Sequence, residues 1–209
     1  MSVILPSSWP EPRLRRTTQD DRVLDAAVEV IAQRGVERTR YRDVAERAGV
    51  SIGTLQHAFG TLRDLQLAAF RHAVDRDLRY LEGLTAGDTP PWTRLVAIVD
   101  GLLLDDERLT TSRRLWIEFW RFAMNDPEMH GTAARVYDAW HAAFDVILEE
   151  GIAAGDFRPR ASVEAEVTLL FAALDGIAIP LVLGLETGLS EARAALVDQL
   201  AWRLGVSTA

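Results

Sequence analysis

Two groups of residues have the types and spacing for molecular recognition. The first is Ser51, Ile52, Gly53, Thr54, Gln56 and His57, which follow a tight Ala48-Gly49-Val50 stretch. In helical form they turn hydroxyl, amide and imidazole groups outward. An amide side chain can pair with adenine, and Thr54 can reach a base or a phosphate oxygen. The second group is Trp116, Phe119 and Trp120, whose rings are expected to lie close to Glu118. Rings at i, i+3 and i+4 share one helical face, and aromatic faces near a carboxylate favour a cation. Trp140 and Phe144 add two more rings four residues apart, and Asp175 is the lone acid in the otherwise uncharged run 167–183.

Candidates for catalysis are few. The four His, at 57, 72, 130 and 141, form no His-x-x-x-His pair. A Walker loop and a dinucleotide fingerprint are both missing from the sequence. His130 and His141 could meet a metal with Glu128 or Asp138, but an exposed or hydrogen-bonded His is the better reading at both positions. Neither an enzyme activity nor a cofactor nor a metal is therefore expected.

The elements that must hold these residues follow from caps and periodicity. The first helix should start after Thr18, where Thr18-x-x-Asp21 has capping-box form, and run with Val23, Ala27 and Ile31 inward to a stop at Gly35. Tyr41, Val44, Ala45 and Ala48 predict a short second helix ended by Gly49. Ser51 should cap a third over 52–58, with Leu55 and Phe59 inward. Thr61-x-x-Asp64 opens a long helix with Leu67, Phe70, Val74, Leu78 and Leu81 on one stripe. Thr89 as cap and Pro90 at the first position begin the next. Further helices are predicted over 113–124, from Asp126-Pro127 to a turn at 151–160, over 162–185, and from a Ser190 cap to Leu204. No segment keeps period-2 alternation, so the fold class is all-α.

Composition limits the reading further. A chain of 209 residues, 48% apolar and 26% charged, is not disordered throughout and has material for one or two cores. It lacks Cys, which fits a reducing compartment. Its first twelve residues, interrupted by Pro6, Pro10 and Pro12, have no basic start of the kind a signal peptide needs, and a cytoplasmic protein is expected. The formal charge of −8 argues against a nucleic-acid partner until it is divided along the chain. Residues 1–65 hold ten Arg against nine acids, and the remainder holds thirteen against twenty-two. All 23 basic residues are Arg, which reads as codon bias.

The stretch from Tyr41 to Phe59 has the form helix, Gly turn, helix. That is the geometry of a helix-turn-helix, in which the second helix enters the major groove. Spacing alone leaves a plain helical hairpin open. Gly35, Thr39, Asp43-Val44-Ala45, Ala48-Gly49-Val50-Ser51, Gly53-Thr54-Leu55, Phe59 and Asp64-Leu65 then resemble the N-terminal domain of TetR-type transcriptional regulators. The resemblance covers about residues 18–70. Arg114-Leu115-Trp116-Ile117-Glu118-Phe119-Trp120, Asp126-Pro127, Trp140, Gly155-Asp156-Phe157-Arg158 and Ala173-Leu174-Asp175-Gly176 are similar to the effector domain of BetI-type members.

The Pro-rich, aperiodic start is expected to be a flexible arm over 1–16, and the resemblance implies a DNA-binding domain over 17–65 and a ligand-binding and dimerisation domain over 66–209. DNA contacts would come from Thr39, Arg40, Tyr41, Arg42, Ser51, Ile52, Gly53, Thr54, Gln56, His57 and Arg63. The chain has Arg40 where the family usually has Ser or Thr, with Thr39 placed to take that cap. Gln56 stands in place of a frequent Tyr, and Leu62 in place of a frequent Lys that Arg63 would replace. Arg13, Arg15, Arg16, Arg40 and Arg42 would compensate for the lost phosphate contacts.

Ligand contacts would come from Trp116, Glu118, Phe119, Trp120, Trp140, Phe144 and Asp175, with core packing the alternative for any single ring. The helices over about 162–185 and 190–204 would pair with their copies in a homodimer. Asp175 and Pro180 weigh against reading 167–183 as a membrane span. The expected function is a ligand-responsive repressor released from a palindromic operator by a small molecule. The alternative is a helical dimeric interaction or small-molecule-binding protein that does not touch DNA.

Overall fold

The computed structural model describes residues 18–85, 88–103, 107–185 and 188–206. The expected arm over 1–16, with Arg13, Arg15 and Arg16, lies outside them. Among the described residues there are nine α-helices and no strand. They are α1 (Thr18–Arg34), α2 (Tyr41–Ala48), α3 (Ile52–Phe59), α4 (Leu62–Thr85), α5 (Pro91–Leu103), α6 (Glu107–Ala123), α7 (Pro127–Ala154), α8 (Val163–Val182) and α9 (Leu189–Leu204). A single 3-10 turn, Val36–Arg38, joins α1 to α2.

The chain divides into two compact units. One holds the chain up to Leu78 together with Thr111–Val136, and the other holds Arg79–Thr110 and Tyr137–Ala209. The division falls inside α4, α6 and α7, so the later turns of α6 and the first turns of α7 group with the N-terminal helices rather than with the rest of 66–209.

In the first unit, α1 buries Val23, Ala27 and Ile31 as their spacing requires. The turn after α2 needs a left-handed residue, and Gly49 supplies it at φ 68 while the Val50 N–H donates to the Ala45 carbonyl. Thr61 and Asp64 form the reciprocal box at the start of α4: each backbone N–H donates to the other's side chain, at 3.2 and 3.1 Å. Leu67, Phe70 and Val74 of α4 are buried, and Phe70 meets Phe119 edge-on at 5.5 Å and stacks on Phe122 at 5.9 Å.

In the second unit, α5, α8 and α9 pack on one another, with Leu95, Ile98 and Val99 of α5 fully buried. Gly151 lets α7 pass Phe157, since a Cβ there would lie 2.1 Å from the ring. Two buried charges also hold this unit. Arg94 donates to the Thr85 carbonyl at the C-terminal end of α4 and to Glu150. Glu166 accepts from the Ala161 N–H and from Arg203 of α9.

Several boundaries differ from the sequence expectation. α1 already includes Thr18. Pro91, not Pro90, takes the first position of α5, and the Arg94 N–H reaches back to the Pro90 carbonyl. α6 begins six residues before Arg113. α7 continues past Gly151 to Ala154. Gly188, not Ser190, is the N-cap of α9. Thr39 does not cap α2: its hydroxyl donates to the Gly35 carbonyl, and Arg40 holds the N-cap position without a side-chain bond.

Candidate nucleic-acid interface and ligand site

α3 is built to present one face. Ser51 Oγ accepts from the Thr54 N–H at 3.0 Å, fixing the first turn. Leu55 anchors the helix at 1% exposure. Ile52, Gly53, Thr54, Gln56 and His57 are all exposed, with Ile52 at 43% although it is a large apolar residue. The Thr54 hydroxyl lies 2.8 Å from Ser51 Oγ and so belongs to the cap. Phe59, expected inward, is half-buried. Tyr41 donates its hydroxyl to the Gly60 carbonyl at 3.0 Å, tying the start of α2 to the end of α3. Burial and the nearby Asp64 charge keep that phenol above its ordinary value.

The arginines beside this face differ in their engagements. Arg40 and Arg42 are exposed, and Arg42 Nε lies 3.6 Å from Asp43. Arg63 is half exposed and donates to Asp126. Thr39 is buried at 2% and supports the segment before α2 rather than lining the surface.

On α6 the rings form a continuous set. Trp116 and Trp120 stack at 5.5 Å, and Phe119 meets each edge-on at 5.1 Å. Phe119 is core at 1% exposure, and the two Trp are half-buried. Glu118 is not beside them. At 100° per residue it lies about 160° round the helix axis from both Trp116 and Trp120. Its carboxylate accepts from the Val36 N–H at 2.9 Å and from Arg121 at 3.1 Å. The acid that does meet one of these rings is Asp77 of α4, which accepts from Trp116 Nε1 at 2.9 Å. Burial raises the Asp77 carboxyl above its ordinary value, against the opposing pull of the Trp116 N–H and Arg76. Sequence reasoning missed Asp77 because its partner is 39 residues away.

In the second unit Trp140 and Phe144 are buried, at 8% and 0% exposure, with rings 6.2 Å apart. Asp175 is exposed, and Tyr137 Oη donates to it at 3.3 Å. His141 stacks flat on Phe171 at 4.5 Å. No group of three metal-binding side chains occurs among the described residues. α8 is long and apolar enough to cross a membrane by composition. One side, Glu166, Val167, Leu170 and Leu174, is buried in its own unit. Leu169, Ile179 and Leu183 are exposed at 48, 53 and 67%, as is Trp202 of α9 at 56%.

Comparison with known proteins places both parts of the chain. The profile of bacterial regulatory proteins of the tetR family matches residues 23–69. That of the BetI-type transcriptional repressor C-terminal domain matches residues 91–204. The HTH-type transcriptional regulator BetI of Proteus mirabilis is 30% identical over 122 residues, which are 55% of this chain and 58% of that protein. The chain thus matches under two thirds of that relative's length. Among solved structures, a Saccharomonospora viridis transcriptional regulator in complex with choline is similar with a TM-score of 0.75 and 26% identity, over 85% of this chain and 92% of that one. A TetR-family regulator from Rhodococcus sp. gives a TM-score of 0.73 at 25% identity, over 89% and 98%.

Proposed function

Because the chain belongs to the TetR family of bacterial transcriptional regulators and carries a BetI-type C-terminal domain, we propose that it is a cytoplasmic, homodimeric repressor that a small molecule releases from a pseudo-palindromic operator. The observation that carries this reading is the exposed face of α3, rigidly capped by Ser51 and offering Ile52, Gly53, Gln56 and His57 to a major groove. Arg40 and Arg42 supply phosphate contacts beside it. Two such heads reach successive major grooves on one side of the duplex. The exposed apolar side of α8 and Trp202 of α9 support pairing through about 162–185 and 190–204.

The effector class follows from the stacked Trp116 and Trp120 with Asp77. A half-enclosed carboxylate at the edge of Trp116, with Trp120 stacked on that ring, favours a small cation with apolar substituents. The choline held by the Saccharomonospora viridis regulator supports that class. No chemistry is performed on the ligand; it changes DNA affinity by preferring one conformation of the protein.

The test is a selection of sheared genomic DNA from the source cell by the purified protein at moderate and high salt, followed by sequencing. Enrichment of a few fragments sharing an inverted repeat is expected. Equal retention of all fragments, lost at high salt, or of none would overturn the repressor reading in favour of a helical interaction protein.

A further inference from the structure

A single backbone unit before the reading head is held by two different helices. The Val36 N–H donates to Glu118 of α6 at 2.9 Å, and the Val36 carbonyl accepts from Gln66 of α4 at 2.8 Å. Val36 is 4% exposed and Gln66 is 8% exposed, so water cannot readily replace either partner. Gly35 precedes this unit at φ 82, and a Cβ there would come within 3.3 Å of the Glu118 carboxylate. Arg121, one turn further along α6, bonds both Glu118 and Glu37 of the 3-10 turn, and those contacts add to the guanidinium's hold on its proton. The Gly35–Thr39 segment leads directly into α2, which carries α3.

Resting on the regulator reading above, we propose that Glu118 is a positioning residue: α6 senses the reading head directly through the Val36 peptide, in addition to any movement of α4. The side of α6 that carries Glu118 and Arg121 is opposite the side that carries Trp116 and Trp120. A rotation or slide of α6 that relieves one side therefore strains the other. A bond of 2.9 Å tolerates little displacement before it is lost. Coupling of this kind is reciprocal, so whatever the rings do to DNA affinity, DNA must do to the rings.

Reciprocity allows a test without an effector. Protein labelled with 5-fluorotryptophan gives 19F resonances for its Trp, and Trp116→Phe and Trp120→Phe identify the two of interest. An operator duplex from the genomic selection is expected to shift both in the unaltered chain. Glu118→Ala should bind that duplex within about fivefold of the unaltered affinity while the shifts shrink about threefold or more. Glu118→Gln keeps an oxygen for the Val36 N–H and should restore them, which a general loss of packing would not allow. Equal shifts in Glu118→Ala, or none in the unaltered chain bound to its duplex, overturn the proposal alone. As a check needing no variant, the Val36 amide should exchange about threefold or more slowly on the duplex, and an unchanged rate overturns it too. A chain that retains no DNA removes the regulator reading and this inference with it.

Discussion

Arg63 of α4 donates to Asp126, the residue that also caps α7 by accepting from the Met129 N–H at 3.0 Å. The Met129 N–H and the Arg63 guanidinium together hold the Asp126 carboxyl below its ordinary value. On the proposal that Arg63 stands in for the family's Lys, Asp126 competes with DNA phosphate for that cation. Asp126→Asn keeps an oxygen for the cap and releases Arg63. Operator affinity should rise about threefold or more at low salt, and the slope of log affinity against log salt should steepen by about 0.9. Titrations by fluorescence anisotropy at four salt concentrations check both, and an unchanged slope would show that Arg63 never reaches phosphate.

Asp77 gives a pH dependence of defined sign. Its carboxyl is raised in the folded chain, so its contribution to stability is full below the unfolded value near 3.8 and is lost as pH rises through the folded value. Asp77→Asn still accepts from Trp116 and should melt at a higher temperature than the parent at pH 7. The gain should vanish on acidification to where Asp77 is protonated. On the cationic-effector proposal, the same change should also weaken quenching of Trp fluorescence by choline, used as the probe.

Removing the cap of α3 separates support from recognition. Ser51→Ala loses the bond to the Thr54 N–H and should lower stability by about 1 kcal/mol. Gln56→Ala leaves the cap intact and should lower operator affinity by about 1–3 kcal/mol if it pairs with adenine. Thermal melts and DNA titrations on both variants distinguish the two, and equal melting temperatures for Ser51→Ala and parent would deny the cap its role.

The exposed side of α8 predicts an assembly phenotype. Ile179→Glu puts a charge on a surface where Ile179 and Leu183 are more than half exposed. Light scattering should show a monomer, and operator affinity should fall because two tethered heads bind more tightly than one. A variant that stays dimeric would move the interface elsewhere.

Much of the fold was legible because its signals are local. The Gly49 turn, the Ser51 cap and the Thr61–Asp64 box each lie within six residues, and the structure realises all three. The start of α6 was not legible, since residues 107–112 offer no apolar period. Buried charges such as Arg94 and Glu166 were missed because their partners, Glu150 and Arg203, are remote in sequence. The ligand set was read from proximity along the chain, which placed Glu118 with Trp116 and Trp120. Counting 100° per residue already separates them, but only the fold could supply Asp77.

The two-sidedness of α6 bears on how such a protein could be re-targeted. Libraries randomised at 116 and 120 alter the ring side while leaving Glu118 and its hold on Val36 untouched. Variants selected there for a new inducer should keep a working switch. Libraries that include 118 or 121 should instead be populated by clones that hold the operator but no longer release it, whatever compound is used to screen them.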